Sequence, residues 1–198
     1  MVFGGGELQD LLIAWVALAF CFSAGALLTP RLPLVFAMAL VTVGAGFVAH
    51  ELAHKFVARR FGCWAGFRLW GWGLILALIL ALVSRGRIIF AAPGAVYIVP
   101  SARAFYRGWL SPRESGLIAL SGPTANVALA LAFLCMSGLG GILGVVGARG
   151  FQVNAWLAAF NMLPFYPLDG WKVYSWSKLV WVAIAIPLWI ATFWLVFL

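Results

Sequence analysis

The sequence predicts an all-α polytopic membrane protein, and two observations carry this prediction. Of the 198 residues, 65% are hydrophobic and only 9% are charged, whereas an average soluble domain is about half apolar and about a quarter charged. The apolar residues also form long unbroken runs, without the short alternating segments of a membrane β-barrel. A water-soluble fold of this length could not bury so much apolar surface, so we expect about five to six transmembrane helices in contact with membrane lipid.

The net charge of +8 fits the same interpretation. Basic residues of a membrane protein concentrate in its cytoplasmic loops, and no run of Lys or Arg is long enough to indicate a nucleic-acid partner. The cysteines Cys21, Cys63 and Cys135 are scattered, which favours small buried side chains over disulfides or a Cys-x-x-Cys metal site. We therefore expect an integral, multi-pass protein of a prokaryotic cell membrane.

The first two predicted spans follow directly from the apolar runs. One covers residues 11 to 28 and the other about residues 34 to 58. The second ends among Lys55, Arg59 and Arg60, and this cluster of basic residues indicates that its C-terminal end faces the cytoplasm.

The region from 69 to 100 is harder to interpret. Its two apolar segments are shorter than the roughly 20 residues that a span needs, so we predict a hairpin that dips into the membrane, with β-prone residues in its second limb. Two thin full spans are the alternative. Further spans are predicted at 115 to 136, at about 151 to 166 after a Gly-rich link, and at 179 to 198.

Both histidines of the chain lie in "HELAH", residues 50 to 54. Positions i and i+4 share a helix face, so His50 and His54 can bind one metal ion, with Glu51 placed to act on a bound water. Ionisable groups at membrane depth cost about 2.5 to 3.5 kcal/mol each and persist mainly where function requires them. The alternative is a structural histidine pair with Glu51 paired to Lys55. We favour the metal site.

A catalytic zinc usually takes three protein ligands, and no third histidine exists. The remaining candidates are Glu7, Asp10, Glu114, Asp169 and the cysteines. Asp169 stands apart because it closes "NMLPFYPLDG", where Pro164 and Pro167 interrupt a helix and free backbone groups that need partners. The alternative for Asp169 is a helix-end carboxylate paired to Lys172.

The motifs "HELAH", "GPTAN" and "NMLPFYPLDG", in this order on three spans, resemble those of the site-2 protease family of intramembrane zinc metalloproteases. The resemblance covers about residues 34 to 172. It implies a three-helix catalytic core that holds one Zn²⁺ per chain through His50, His54 and Asp169, with Glu51 as general base. No PDZ or CBS domain is recognisable, so residues 1 to 198 are interpreted as a single membrane-embedded metalloprotease domain.

The resemblance also implies roles around the metal. Gly122, Pro123 and Asn126 fall on the family's middle motif, in which the Asn is expected to hold substrate or stabilise the oxyanion. Asn161 occupies the family's other Asn position and is expected to act similarly. The chain departs from the family pattern at two positions. Trp171 stands where the family commonly has Gly, and Lys172 stands where it commonly has Arg.

A membrane-dipping β-hairpin follows the HExxH helix in that family. The segment around Gly94, Ala95 and Val96 is our candidate, and an unwound substrate strand could pair with its edge. An ordinary apolar hairpin is the alternative.

The function implied is hydrolysis of peptide bonds within or near transmembrane segments of membrane-tethered proteins, at a site nearer the cytoplasmic side. The partner is then a transmembrane-helix substrate, and the sequence does not indicate an oligomeric state. The main alternative is a transporter of zinc or another divalent metal, because some transporters carry HExxH-like motifs within a span. Two further alternatives remain. One is a zinc-binding scaffold without catalytic activity, and the other is a different class of metalloprotease with Glu114 as third ligand.

Overall fold

The computed structural model describes residues 5–100 and 110–197, and most of them are helical. The helices are α1 (Glu7–Ser23), α2 (Leu32–Arg60), α3 (Gly71–Val83), α4 (Pro112–Ser137), α5 (Gly141–Asn161), α6 (Asp169–Trp176) and α7 (Lys178–Phe197). Two strands, β1 (Cys63–Leu69) and β2 (Gly94–Pro100), complete the described elements together with a 3₁₀ turn at Ala24–Ala26.

Three of the described helical segments are long and apolar enough to cross a membrane. They are Glu7–Ala26, Leu32–Arg60 and Pro112–Ser137, while Gly71–Val83 and Lys178–Trp194 form shorter apolar helices. These lengths and compositions fit a membrane protein. The count of five to six spans stays a prediction.

The region predicted as a hairpin contains α3 followed by β2. β2 pairs antiparallel with β1, from Leu69 opposite Gly94 to Cys63 opposite Pro100. The β-prone residues of the second limb do form a strand, but its partner β1 precedes α3 and was not predicted. The carboxylates of α1 hold β1 in place, because Glu7 Oε1 accepts a hydrogen bond from the Phe67 amide at 2.8 Å and Asp10 Oδ2 accepts one from the Leu69 amide at 3.3 Å. Whether the sheet dips into a membrane stays a prediction.

The segment predicted as a Gly-rich link is helical, and here the prediction was wrong. Helix α5 begins at Gly141 and ends at Asn161, where 151 to 166 had been predicted. A Cβ atom on Gly147 would lie 2.7 Å from the Met136 carbonyl carbon and 2.8 Å from the Phe133 oxygen. The glycines therefore allow the backbones of α4 and α5 to pack closely, and the helix ends before Pro164, which could not continue it.

Candidate active site

Three buried side chains converge where α2, α4 and α6 meet. His50 and His54 lie one turn apart on α2, and Asp169 is the first residue of α6. Asp169 Oδ2 lies 3.1 Å from His50 Nε2 and 3.0 Å from His54 Nε2, and the two Nε2 atoms are 3.0 Å apart. Within the described ranges, this is the one group of three His, Cys, Asp or Glu side chains that lie close enough together to share a metal ion.

The other nitrogen of each ring is hydrogen-bonded to an oxygen atom. His50 Nδ1 lies 2.6 Å from Asn126 Oδ1, and His54 Nδ1 lies 2.8 Å from the Ile118 carbonyl oxygen. These oxygens can only accept, so each neutral imidazole donates from Nδ1 and leaves the Nε2 lone pair free. This arrangement is typical of histidines that bind a metal through Nε2.

A buried hydrogen-bond network lies behind His50. The Asn126 amide nitrogen donates to the Gly46 carbonyl and to Asn154 Oδ1, both at 3.1 Å. Asn154 in turn donates to the Gly150 carbonyl at 2.9 Å. Because the Gly46 carbonyl can only accept, these bonds orient the Asn126 amide with its oxygen toward His50. The network joins α2, α4 and α5.

Sequence reasoning missed Asn154 and Gly46. Asn154 has no exposed surface, and a Cβ atom on Gly46 would overlap its side-chain oxygen. The available signal was an Asn in an otherwise apolar helix, since a buried amide needs partners.

Asn126 lies beside the proposed metal ligands. Its hydrogen bonds affect whether it can stabilise an oxyanion, the role that the family resemblance implies. Both of its amide N–H groups already donate within the network. An oxyanion could accept from Asn126 only if one of these bonds broke. The oxyanion role of Asn126 stays a prediction, and the contacts favour a residue that positions His50.

Gly122 lies directly against the imidazoles. A Cβ atom at this position would be 2.5 Å from His54 Nε2 and 2.6 Å from His50 Nε2, so only glycine leaves the donor atoms accessible from α4. Pro123, which follows, is also buried and removes one backbone donor from the helix. Ser121, which directly precedes Gly122, donates a hydrogen bond at 2.6 Å to the Ile118 carbonyl, the same oxygen that accepts from His54.

Glu51 completes the polar side of the site. It is buried, and its Oε2 atom has no hydrogen-bond partner among the described residues. Glu51, the two histidines and Asp169 line a cavity of about 40 Å³, more than the roughly 10 to 15 Å³ that a cavity needs to hold a water molecule. Two imidazoles and a carboxylate around such a space are the donor set of a zinc ion with one open position.

The remaining predicted site residues line the same cavity. Gly94, Ala95 and Val96 reach it from β2, and Asn161 reaches it from the end of α5. Asn161 is half-buried and donates to the Leu157 carbonyl at 2.9 Å. A Cβ atom on Gly94 would lie 2.5 Å from the Arg68 carbonyl oxygen, so the strand can approach β1 only with glycine here.

The other carboxylates considered as metal ligands are engaged elsewhere. Glu7 pairs with Lys55 at 2.5 Å, which also removes the expected alternative partner of Glu51. Asp10 lies 3.9 Å from Arg68. Glu114 accepts a hydrogen bond from the Ser111 amide at 2.8 Å and so caps α4.

Two known proteins are similar to the chain over most of its length. It is 45% identical to "Putative zinc metalloprotease MJ0611" of Methanocaldococcus jannaschii over 190 residues, 94% of this chain and 92% of that protein. It is 30% identical to "Putative zinc metalloprotease YwhC" of Bacillus subtilis over 149 residues, 68% of this chain and 66% of that protein. No family model matches the chain, and no solved structure matches it. Together with the His50, His54 and Asp169 donor set, these names confirm Zn²⁺ as the predicted cofactor.

Proposed function

We propose that the chain, which belongs to the same family as these two proteins named as zinc metalloproteases, is an intramembrane endopeptidase of the site-2 protease type. It hydrolyses peptide bonds within or near transmembrane segments of membrane-tethered proteins. The observation that carries the proposal is the buried group of His50, His54 and Asp169, beside a Glu51 oxygen that has no hydrogen-bond partner in the described part of the chain.

His50, His54 and Asp169 would hold the zinc ion. When bound, the ion would act as a Lewis acid on the scissile carbonyl and would lower the pKa of a water molecule toward neutral pH. Glu51 accepts the proton of the attacking water at Oε2 and passes it to the nitrogen of the leaving amine. The C–N bond breaks as this nitrogen becomes a neutral amine, so the proton count balances.

The setting of this chemistry is a multi-pass protein in a prokaryotic cell membrane. The basic end of α2, with Lys55, Arg59 and Arg60, lies on the cytoplasmic side, as the distribution of basic residues in membrane proteins favours. Water reaches the site from that side. An unwound segment of the substrate pairs with β2, whose residues line the cavity.

A metal transporter would need further polar ligands along a path. In the described part of the chain, Asn126 and Asn154 are bonded to each other and to backbone carbonyls instead. Their arrangement supports a fixed metal site better than a relay of ions.

The test compares the wild type with Glu51→Gln in detergent and in liposomes. We expect about one zinc per chain in both proteins, because Glu51 is not a ligand, and cleavage of a model transmembrane substrate by the wild type alone. Asp169→Ala serves as the comparison that should lose zinc as well as cleavage.

Cleavage by Glu51→Gln at the wild-type rate would refute the role of Glu51. Zinc flux into wild-type liposomes, without cleavage of any transmembrane substrate, would favour the transporter instead.

A further inference from the structure

We propose that Lys172 is a catalytic residue that stabilises the oxyanion of the tetrahedral intermediate through its ammonium group. The inference rests on the proposed function. It assigns to Lys172 the task that the family resemblance assigned to Asn126.

The donors around the metal leave a place for a further charged group. Hydrolysis of a peptide develops a negative charge on the former carbonyl oxygen, and preorganised donors or cations stabilise it. Asn126 has no N–H group to spare, since both donate within the network behind His50. This leaves the other donors that line the same cavity, which are Asn161, with one N–H group outside its bond to the Leu157 carbonyl, and the ammonium of Lys172.

Lys172 is in the right place. It lies three residues after Asp169 on α6, and residues at this spacing share a helix face. Its side chain lines the metal cavity together with Glu51 and the three proposed ligands. No other Lys or Arg of the described ranges lines that cavity.

Lys172 also lines a second, larger space. This groove, of about 640 Å³, is lined by residues of β2 and also by Leu110, Ser115 and Tyr166. The residues that line both the groove and the metal cavity are Gly94, Ala95, Val96, Ile98, Pro167 and Lys172. Lys172 is the charged residue of this shared set, so it lies where a strand bound along β2 would present its peptide carbonyl to the metal.

The ammonium of Lys172 is available for this task. It is half-buried and has no ion-pair partner within residues 5–100 and 110–197. An ammonium offers three N–H donors, and a charge beside a buried site acts with less solvent screening than on an open surface. In the proposed role Lys172 only donates hydrogen bonds, so it adds no proton to the reaction and removes none.

The experiment measures kcat, KM and zinc content for wild type, Lys172→Met and Lys172→Arg, with a model transmembrane substrate in detergent. We expect Lys172→Met to lower kcat about 100- to 1,000-fold, the usual effect of removing an oxyanion donor, while KM and zinc content stay close to wild type. Lys172→Arg keeps the positive charge and should recover part of kcat.

The matched control is Lys178→Met. Lys178 is also a lysine of the same end of the chain, and its ammonium lies 5.5 Å from the ring centre of Tyr174. Lys178 lines neither the metal cavity nor the groove along β2. The kcat of Lys178→Met should therefore equal that of the wild type.

A second measurement does not depend on turnover. A phosphinate peptide mimics the charged tetrahedral intermediate, and a transition-state interaction should matter more for it than for the substrate. Its affinity should fall about 100-fold or more in Lys172→Met, in proportion to the loss of kcat.

Three outcomes would overturn the proposal while leaving the protease function intact. They are wild-type kcat in Lys172→Met, a raised KM with unchanged kcat, and loss of zinc from the variant. A wild type that cleaves no transmembrane substrate would instead overturn the proposed function, and the role of Lys172 with it.

Discussion

At the scale of single residues, hydrogen bonds behind His50 decide which of its nitrogen atoms faces the cavity. Asn126 can accept from Nδ1 only while its own amide group is turned the right way, and Asn154 and the Gly46 carbonyl hold that orientation. Removing a group that is hydrogen-bonded to a metal-binding side chain usually lowers metal affinity by about 10- to 100-fold. Gly46 and Asn154 thus act on the metal without contacting it.

Asn154→Leu should therefore weaken zinc binding about 10- to 100-fold, because the Asn126 amide loses an acceptor and can turn its donors toward His50. Asn154→Asp keeps an acceptor oxygen and should retain most of the affinity. Gly46→Ala, whose added methyl would overlap the Asn154 oxygen, should behave like Asn154→Leu. The zinc dissociation constant, measured by competition with a chelating dye, checks all three.

Thr124→Val is the control for these variants. It removes a hydroxyl group that donates to the Leu120 carbonyl on the exposed side of α4, away from the network. Equal zinc affinity in Asn154→Leu and Thr124→Val would contradict the role of Asn154.

At the scale of elements, glycines decide how closely α4 and α5 approach. The backbone of α4 near Phe133 and Met136 occupies the space where a side chain on Gly147 would lie. Helices in lipid gain little from apolar burial against each other, so close backbone packing supplies much of their association. The same close packing places Asn154 of α5 within hydrogen-bond distance of Asn126 of α4.

Gly147→Ala should lower the free energy of unfolding by about 1 to 3 kcal/mol, the usual cost of inserting a methyl group into a packed contact. Gly138→Ala provides the comparison, because an added Cβ there meets its nearest atom, the Cys135 oxygen, at 3.5 Å. Unfolding of both variants in mixed detergent micelles checks this. Equal stability of the two would show that the α4–α5 contact tolerates a side chain at position 147.

At the scale of the whole molecule, α1 contacts both the C-terminal end of α2 and the sheet beside the cavity. Glu7 and Lys55 form an ion pair with almost no exposure, and Glu7 also accepts from the Phe67 amide of β1. Since β1 pairs with β2, this buried pair links a helix that lies outside the recognised motifs to the strand proposed to bind substrate.

Glu7→Gln and Lys55→Met should each destabilise the protein by about 3 to 5 kcal/mol, because each leaves one buried charge without its partner. The double variant should lose less than the sum of the two. Free energies of unfolding for the four proteins of this cycle provide the measurement. Additive losses would mean that the two side chains do not interact in the folded state.

The sequence by itself identified the side chains of the candidate metal site. A spacing of four in "HELAH" places two imidazoles on one helix face whatever surrounds that helix. Prolines before Asp169 predicted a broken helix that carries a carboxylate, and the apolar runs predicted the positions of α1, α2, α4 and α7 to within a few residues. Such features depend on local periodicity and on the few charges that an apolar chain contains.

Only the tertiary structure decided which distant groups meet these residues. β1 pairs with a strand on the far side of α3, and the glycines taken for a link form a helix because α4 packs against them. Asn154 and Lys172 gain their proposed roles from neighbours on other elements. The physical reason is that hydrogen-bond partners and cavities depend on packing between elements far apart in sequence, which a local pattern does not record.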